Sequence, residues 1–194
     1  MRGQAYTLES VIAALLILSA LVFALQVTTV TPLSASTSSQ HIENQQRSAA
    51  SGALTAATEA DALKPAISRI TGSGTYYGQG LDGAYVSDYP PGEFGNILNR
   101  TFGGRGLAVD VKISYQTSET NWERLQMVQR GSPSDNAVTA SQSVTLYDSD
   151  PIYDVNGNQN GTWGGDDPLE VSSQVNQNSD VYNVVTVEVT VWRM

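Results

Sequence analysis

Three hydrophobic rhythms follow one another along the chain. Residues 11–27 read VIAALLILSALVFALQV, apolar everywhere except Ser19 and Gln26. No helical phase offers a polar face, so the run predicts a helix that is apolar all round. Its 17 residues make ~26 Å of helix at ~1.5 Å per residue, against ~30 Å of bilayer hydrocarbon. Residues 28–33 extend it through the interface, and residues 1–33 form a leader and transmembrane helix. A cleaved secretory signal is the competing reading. It needs a small-residue cleavage site after the apolar core. Ala24-Leu25-Gln26 matches that poorly, and Glu9 directly before the run is foreign to it.

The second rhythm is helical. Ala49, Ala53, Ala56, Ala60, Leu63, Ile67 and Ile70 recur at alternating intervals of four and three. That is the seam of a helix meeting another element. It assigns residues 34–70 to a stalk helix, which either continues from the membrane segment with its later half on the head's sheet or is an ordinary amphipathic helix packing within its own head. Pro32 predicts a kink or interruption. The Thr- and Ser-rich residues 28–39 predict a flexible neck. Pro65 ends or kinks the helix unless it opens a new turn.

The third rhythm has period two and fills residues 71–194, the expected head. Residues 71–92, rich in Gly, Tyr, Asp and Pro, predict a long loop. There Tyr76, Tyr77, Tyr85 and Tyr89 serve either as an adhesive surface or as pins. Residues 94–102 predict a short helix. Strands are predicted at 107–116, 124–130, 138–147 and 181–192. The last places Val185, Val187, Val189 and Val191 on one face. One apolar face per strand means an antiparallel sheet covered on one side. The fold class is α+β: a long N-terminal membrane and stalk helix, then an antiparallel β head.

Charge narrows the function. The net charge is -9, with eight Arg and only two Lys. No basic footprint for nucleic acid exists. Residues 131–192 hold nine carboxylates and no Lys or Arg, so that stretch must be solvated, neutralised by counter-ions or met by a basic partner. The absence of Cys excludes disulfides and thiolate chemistry. His41 is the single His and sits in a polar stretch. With no Gly-Xaa-Ser-Xaa-Gly elbow, nucleophilic catalysis has no support. Gly103-Gly104-Arg105-Gly106 reads as a turn. The chain is expected to be no enzyme and to need no cofactor.

Two motifs remain. Asp154, Asn156 and Asn158 place oxygen ligands on alternate residues, as Ca²⁺ requires, but the sixth-place Gly and twelfth-place Glu are missing. The run also suits a hairpin tip. Asn99-Arg100-Thr101 and Asn160-Gly161-Thr162 are N-glycosylation sequons at Asn99 and Asn160.

Arg2-Gly3-Gln4-Ala5-Tyr6-Thr7-Leu8-Glu9 ahead of the apolar run resembles type IV pilins and archaeal class III signal segments. The whole chain resembles a haloarchaeal, halophilic family of pilin-like proteins, through residues 40–43, 98–103, 132–138 and 192–194. The resemblance implies a subunit, major or minor, of a pilus-like surface filament on the cell membrane. Its partners would be the membrane, other pilin-like subunits or envelope proteins, and a prepilin peptidase. That enzyme would cut after Gly3, making Glu9 the sixth residue, or after Gln4, making it the fifth, the family's usual place. Glu9 would meet a neighbouring subunit's amino terminus during assembly. With Arg2 on the cytoplasmic side, the C-terminal head is extracellular. The alternative is a permanently anchored adhesion protein that does not polymerise.

The basic-free stretch makes stability salt-dependent, because screening relieves carboxylate repulsion. Thermal melts should show a higher midpoint in molar KCl than in low salt. An unchanged or lower midpoint contradicts this reading.

Overall fold

Helical backbone starts at Arg2 and runs to Glu59 as α1. The computed structural model describes residues 2–171 and 179–194, with side chains described outside residues 2–5, 27–39 and 82. The chain divides into two bodies at Ile42/Glu43. In the first, Tyr6–Gln26 is long and apolar enough to cross a membrane. Leu15, Leu16, Ile17, Leu18 and Phe23 stand exposed on successive faces. Ser10 donates to the Tyr6 carbonyl at 2.7 Å and Ser19 to the Leu15 carbonyl at 2.7 Å. Such back-bonding satisfies these two serine hydroxyls within the helix in an apolar medium.

The expected neck is helical instead, since α1 continues through residues 28–39. A proline deletes one rung of the hydrogen-bond ladder and leaves those on either side. Thr and Ser cost only about 0.5 kcal/mol each in a helix.

The second body, residues 43–194, is the head, so its compact unit begins well before residue 71. Over the last turns of α1 the buried positions are Gln46, Ala50, Ala53, Leu54 and Ala57. Ala56 and Ala60, expected in the seam, are exposed. The true stripe follows the 3.6-residue period, whereas the four-three rhythm ran across a break. That break is a Schellman motif. The Ala62 amide donates to the Ala57 carbonyl at 2.8 Å and the Asp61 amide to the Thr58 carbonyl at 3.1 Å. Asp61 takes the left-handed conformation, at φ 51°, and Ala57 and Ala62 are both buried beside it. A short helix α2, Leu63–Ile67, then starts anew. Pro65 sits in its first turn, where its missing N–H costs nothing.

The helix expected near residue 94 is α3, Glu93–Phe102, burying Phe94, Ile97, Leu98 and Phe102. Among the described residues six strands follow: β1 Leu107–Gln116, β2 Trp122–Val128, β3 Val138–Tyr147, β4 Pro151–Tyr153, β5 Gln159–Thr162 and β6 Val181–Arg193, with a one-turn helix α4, Trp163–Asp166, after β5. The main sheet has the order β2-β1-β6-β3 and is antiparallel throughout. β4 and β5 form a separate antiparallel hairpin. In β6, Val185, Val187, Val189 and Val191 are wholly buried, each contributing about 1.5–3 kcal/mol by leaving water. Their cover comes from α1, α2 and α3, whose buried side chains share one core with the inward rows of the sheet. The architecture is α+β, an apolar N-terminal helix followed by a four-stranded antiparallel sheet.

The rotated stripe on α1 is directly testable. Ala57 is fully buried and Ala56 exposed. Ala57→Leu should destabilise the protein by about 1–3 kcal/mol through overpacking. Ala56→Leu should stay within about 0.5 kcal/mol of wild type. Urea titrations of both variants decide, and the reverse ranking would restore the four-three seam.

Candidate functional site

Loop 71–92 is tied down by its own tyrosines and by one arginine. Tyr76 is buried, and Tyr77, Tyr85 and Tyr89 are half-buried, so the cluster serves mainly as pins. Gly83 has φ 74°, and a Cβ there would lie 1.8 Å from the Tyr76 carbonyl oxygen, so only glycine fits. Tyr85 continues the sheet past β2. Its amide donates to the Met127 carbonyl at 2.8 Å, and its carbonyl accepts from the Gln129 amide at 3.0 Å. Arg130 clamps the far side. Its guanidinium donates to the Ser87 carbonyl at 2.5 Å and lies 4.8 Å from the Tyr89 ring centroid.

Where this loop meets the sheet there is a polar groove of about 420 Å³, bordered by Ser73, Thr75, Tyr115, Glu123, Arg124 and Glu170. Register builds it. Tyr115 pairs with Glu123 across β1 and β2, so both side chains take the inward face. The Tyr115 hydroxyl donates to Glu123 Oε2 at 3.4 Å. Burial, then the Glu123 charge and hydrogen bond, pushes the Tyr115 phenol up to about 12. Glu170 is presented from a left-handed residue, at φ 51°. The groove offers hydroxyls and two carboxylates, groups that hydrogen-bond a polar ligand. Sequence reasoning missed it. Tyr115 ended a recognised strand, but Glu123 lay outside the predicted span of β2, and nothing local marks Glu170.

The residues singled out in the sequence fall in three places. Gly3 and Gln4 lie in helical backbone, and their side chains are outside those described. Glu9 is exposed on α1 and has no ion pair among the described residues. Asn99 is exposed in the last turn of α3. Asp154, Asn156 and Asn158 do come together, at the tip of the β4–β5 hairpin, but they face one another. Asp154 Oδ1 accepts the amides of Asn156 and Asn158, each at 2.8 Å, and Oδ2 accepts Asn158 Nδ2 at 3.1 Å. Those bonds hold the Asp154 carboxyl below the usual range. The turn itself thus employs both oxygens a cation would use. Among the described residues no group of three His, Asp or Glu side chains is placed to hold a metal ion. Asn160 follows on β5 and is exposed.

The unpaired acidic stretch finds its cations from afar. Lys64 reaches Asp150 Oδ2 at 2.8 Å, and Lys112 reaches Glu188 Oε2 at 2.9 Å. Both lysines of the chain are spent this way. Other carboxylates accept from their own loops. Asp166 takes the Thr162 amide at 2.9 Å. Asp167 takes the Val171 amide at 3.0 Å and the Tyr182 hydroxyl at 2.6 Å.

Tyr115 gives the groove an alkaline signature. Below about pH 10 the phenol is protonated whether the chain is folded or not. Between there and about 12 the unfolded chain loses the proton and the folded one keeps it, so stability falls as pH rises. Denaturation midpoints across this window should fall less steeply for Tyr115→Phe than for wild type. Parallel slopes would place the raised phenol elsewhere.

No curated protein and no solved structure matches the chain. Over residues 2–191 it matches a family described as a family of unknown function, DUF7288, and it belongs to that family.

Proposed function

We propose that this protein is a pilin-like subunit of a surface filament, held in the membrane by Tyr6–Gln26 before assembly. The observation that carries the reading is the uncovered apolar helix, every face of it exposed, ahead of a head that closes its own core from residues 50–191. A fully apolar helical surface requires lipid or other helices. A filament core of packed helices supplies the second as the bilayer supplies the first. Arg2 stays cytoplasmic, the head lies outside, and a prepilin peptidase acts at Gly3 or Gln4. Glu9 then pairs with the new amino terminus of a neighbour, which offsets the cost of a carboxylate in an apolar medium.

The polar groove favours a second reading, a permanently anchored surface protein whose head binds a polar ligand. Its hydroxyls and carboxylates have no role in helix packing.

Glu9 separates the two. Glu9→Ala should insert into membranes as wild type does, yet be depleted from sheared filaments by tenfold or more, the size of effect expected for losing a charge pair of about 1.4 kcal/mol or more. Glu9→Asp, with shorter reach, should be intermediate. Filaments that carry the Ala variant at wild-type levels would refute the pairing. Absence of the wild-type protein from filaments would hand the assignment to the anchored binding protein.

A further inference from the structure

The two sequons occupy opposite kinds of backbone. Asn99 and Thr101 lie in α3. Side chains two residues apart on a helix point about 200° apart, so the amide and hydroxyl diverge. The Thr101 hydroxyl is also engaged, donating to the Ile97 carbonyl at 2.8 Å.

Asn160 and Thr162 lie in β5. Thr162 pairs with Pro151, Gly161 with Ile152, and Gln159 with Tyr153, with a register shift. Asn160 is therefore the extra residue of a bulge, left out of the ladder, and it is exposed. The hairpin explains the middle of the sequon. A Cβ on Gly161 would lie 1.9 Å from Asp166 Oδ2, and that same oxygen holds the Thr162 amide at 2.9 Å. It makes no use of the rest: neither the Asn160 side chain nor the Thr162 hydroxyl has a hydrogen bond among the described residues, and Thr162 caps α4 without a side-chain bond. Those two idle groups are the ones a glycosyl transferase reads in Asn-Xaa-Thr.

We infer that Asn160 is an N-linked glycan acceptor in the folded head and that Asn99 is not. The inference rests on the extracellular placement of the head proposed above. The donor class is a lipid-linked oligosaccharide. Asn160 Nδ2 forms a bond to the anomeric carbon as the bond from that carbon to the lipid phosphate oxygen breaks. The lipid phosphate departs with the electron pair, and a base of the transferase takes the amide proton. A glycan there keeps the β4–β5 hairpin out of close contact with neighbouring subunits, so filament packing must use another face.

Mass spectrometry of the full-length protein from its native cells tests this. Wild type and Asn99→Gln should show the same mass excess over the polypeptide. Asn160→Gln and Thr162→Ala should lose it entirely, and Thr162→Ser, which keeps the sequon, should retain it. The chain has no Cys, so Ser132→Cys, on an exposed loop, reports topology by labelling intact cells with an impermeant maleimide. Labelling without modification at Asn160, or loss of the excess in Asn99→Gln, overturns the glycan assignment alone. Absence of labelling on cells whose lysate labels fully overturns the extracellular head and the glycan together.

Discussion

The head depends on the pairing of β6 with two partners at once. β1 lies on one side and β3 on the other. Without β6 the β1–β2 hairpin and β3 are separate pieces, each too small to be stable alone. Its four buried valines supply the middle of the core, and the same strand turns Thr186, Glu188 and Thr190 to the opposite face. β6 is the last strand in chain order, so the sheet closes only when residues such as Val109 and Val191 meet. Pairings this distant in sequence are slow to form. The helices that cover the apolar face come earlier in the chain.

An acidic protein without disulfides must hold its loops by other means, and here the carboxylates do so. Asp154, Asp166 and Asp167 each accept a backbone amide within their own loop. A hydrogen bond to a charged acceptor contributes about 1.5–3 kcal/mol when shielded and less when exposed. The two lysine pairs join acidic residues to parts of the chain distant in sequence. Lys64, with its ammonium also 4.7 Å from the Tyr147 ring centroid, ties α2 to the start of β4. Lys112 spans β1 and β6. Several of the carboxylates in the basic-free stretch thus have a structural role.

Periodic elements were legible in the sequence, and contacts between them were not. The bounds of β1 and β3, the inward valines of β6 and the place of α3 follow from period two and from one amphipathic turn. The face of α1 did not, because Ala56 and Ala60 keep a rhythm that Asp61 breaks with a left-handed residue usually signalled by Gly. Nor did the neck, where summed weak propensities argued for a flexible segment that the helix overrides. The groove was hidden because it joins residues 73–75, 115–125 and 168–170, which only cross-strand register and tertiary packing bring together. The Asp154 loop was legible as chemistry but ambiguous in use. Alternating oxygens suit a cation and a hairpin tip equally, and in this structure the Asn156 and Asn158 amides turn toward Asp154 as a hairpin tip requires.

On the pilin-like reading the N-terminal helix has two jobs, and magnitudes separate them. Each large apolar side chain of Tyr6–Gln26 gains about 1.5–3 kcal/mol on leaving water, so the segment as a whole gains on the order of 20 kcal/mol. A charged side chain at the centre of a bilayer costs about 2.5–3.5 kcal/mol on insertion scales, and Glu9 stands near the segment's edge, where the cost is lower. Anchoring is therefore insensitive to Glu9. In a helix-packed filament the balance changes, because apolar contact among helices replaces apolar contact with lipid and the net gain per residue is small. One unpaired carboxylate then weighs as much as several packed side chains. On the pilin-like reading, the apolar run decides that the chain stays with the membrane, and Glu9 decides which neighbour, in which register, it leaves the membrane to join.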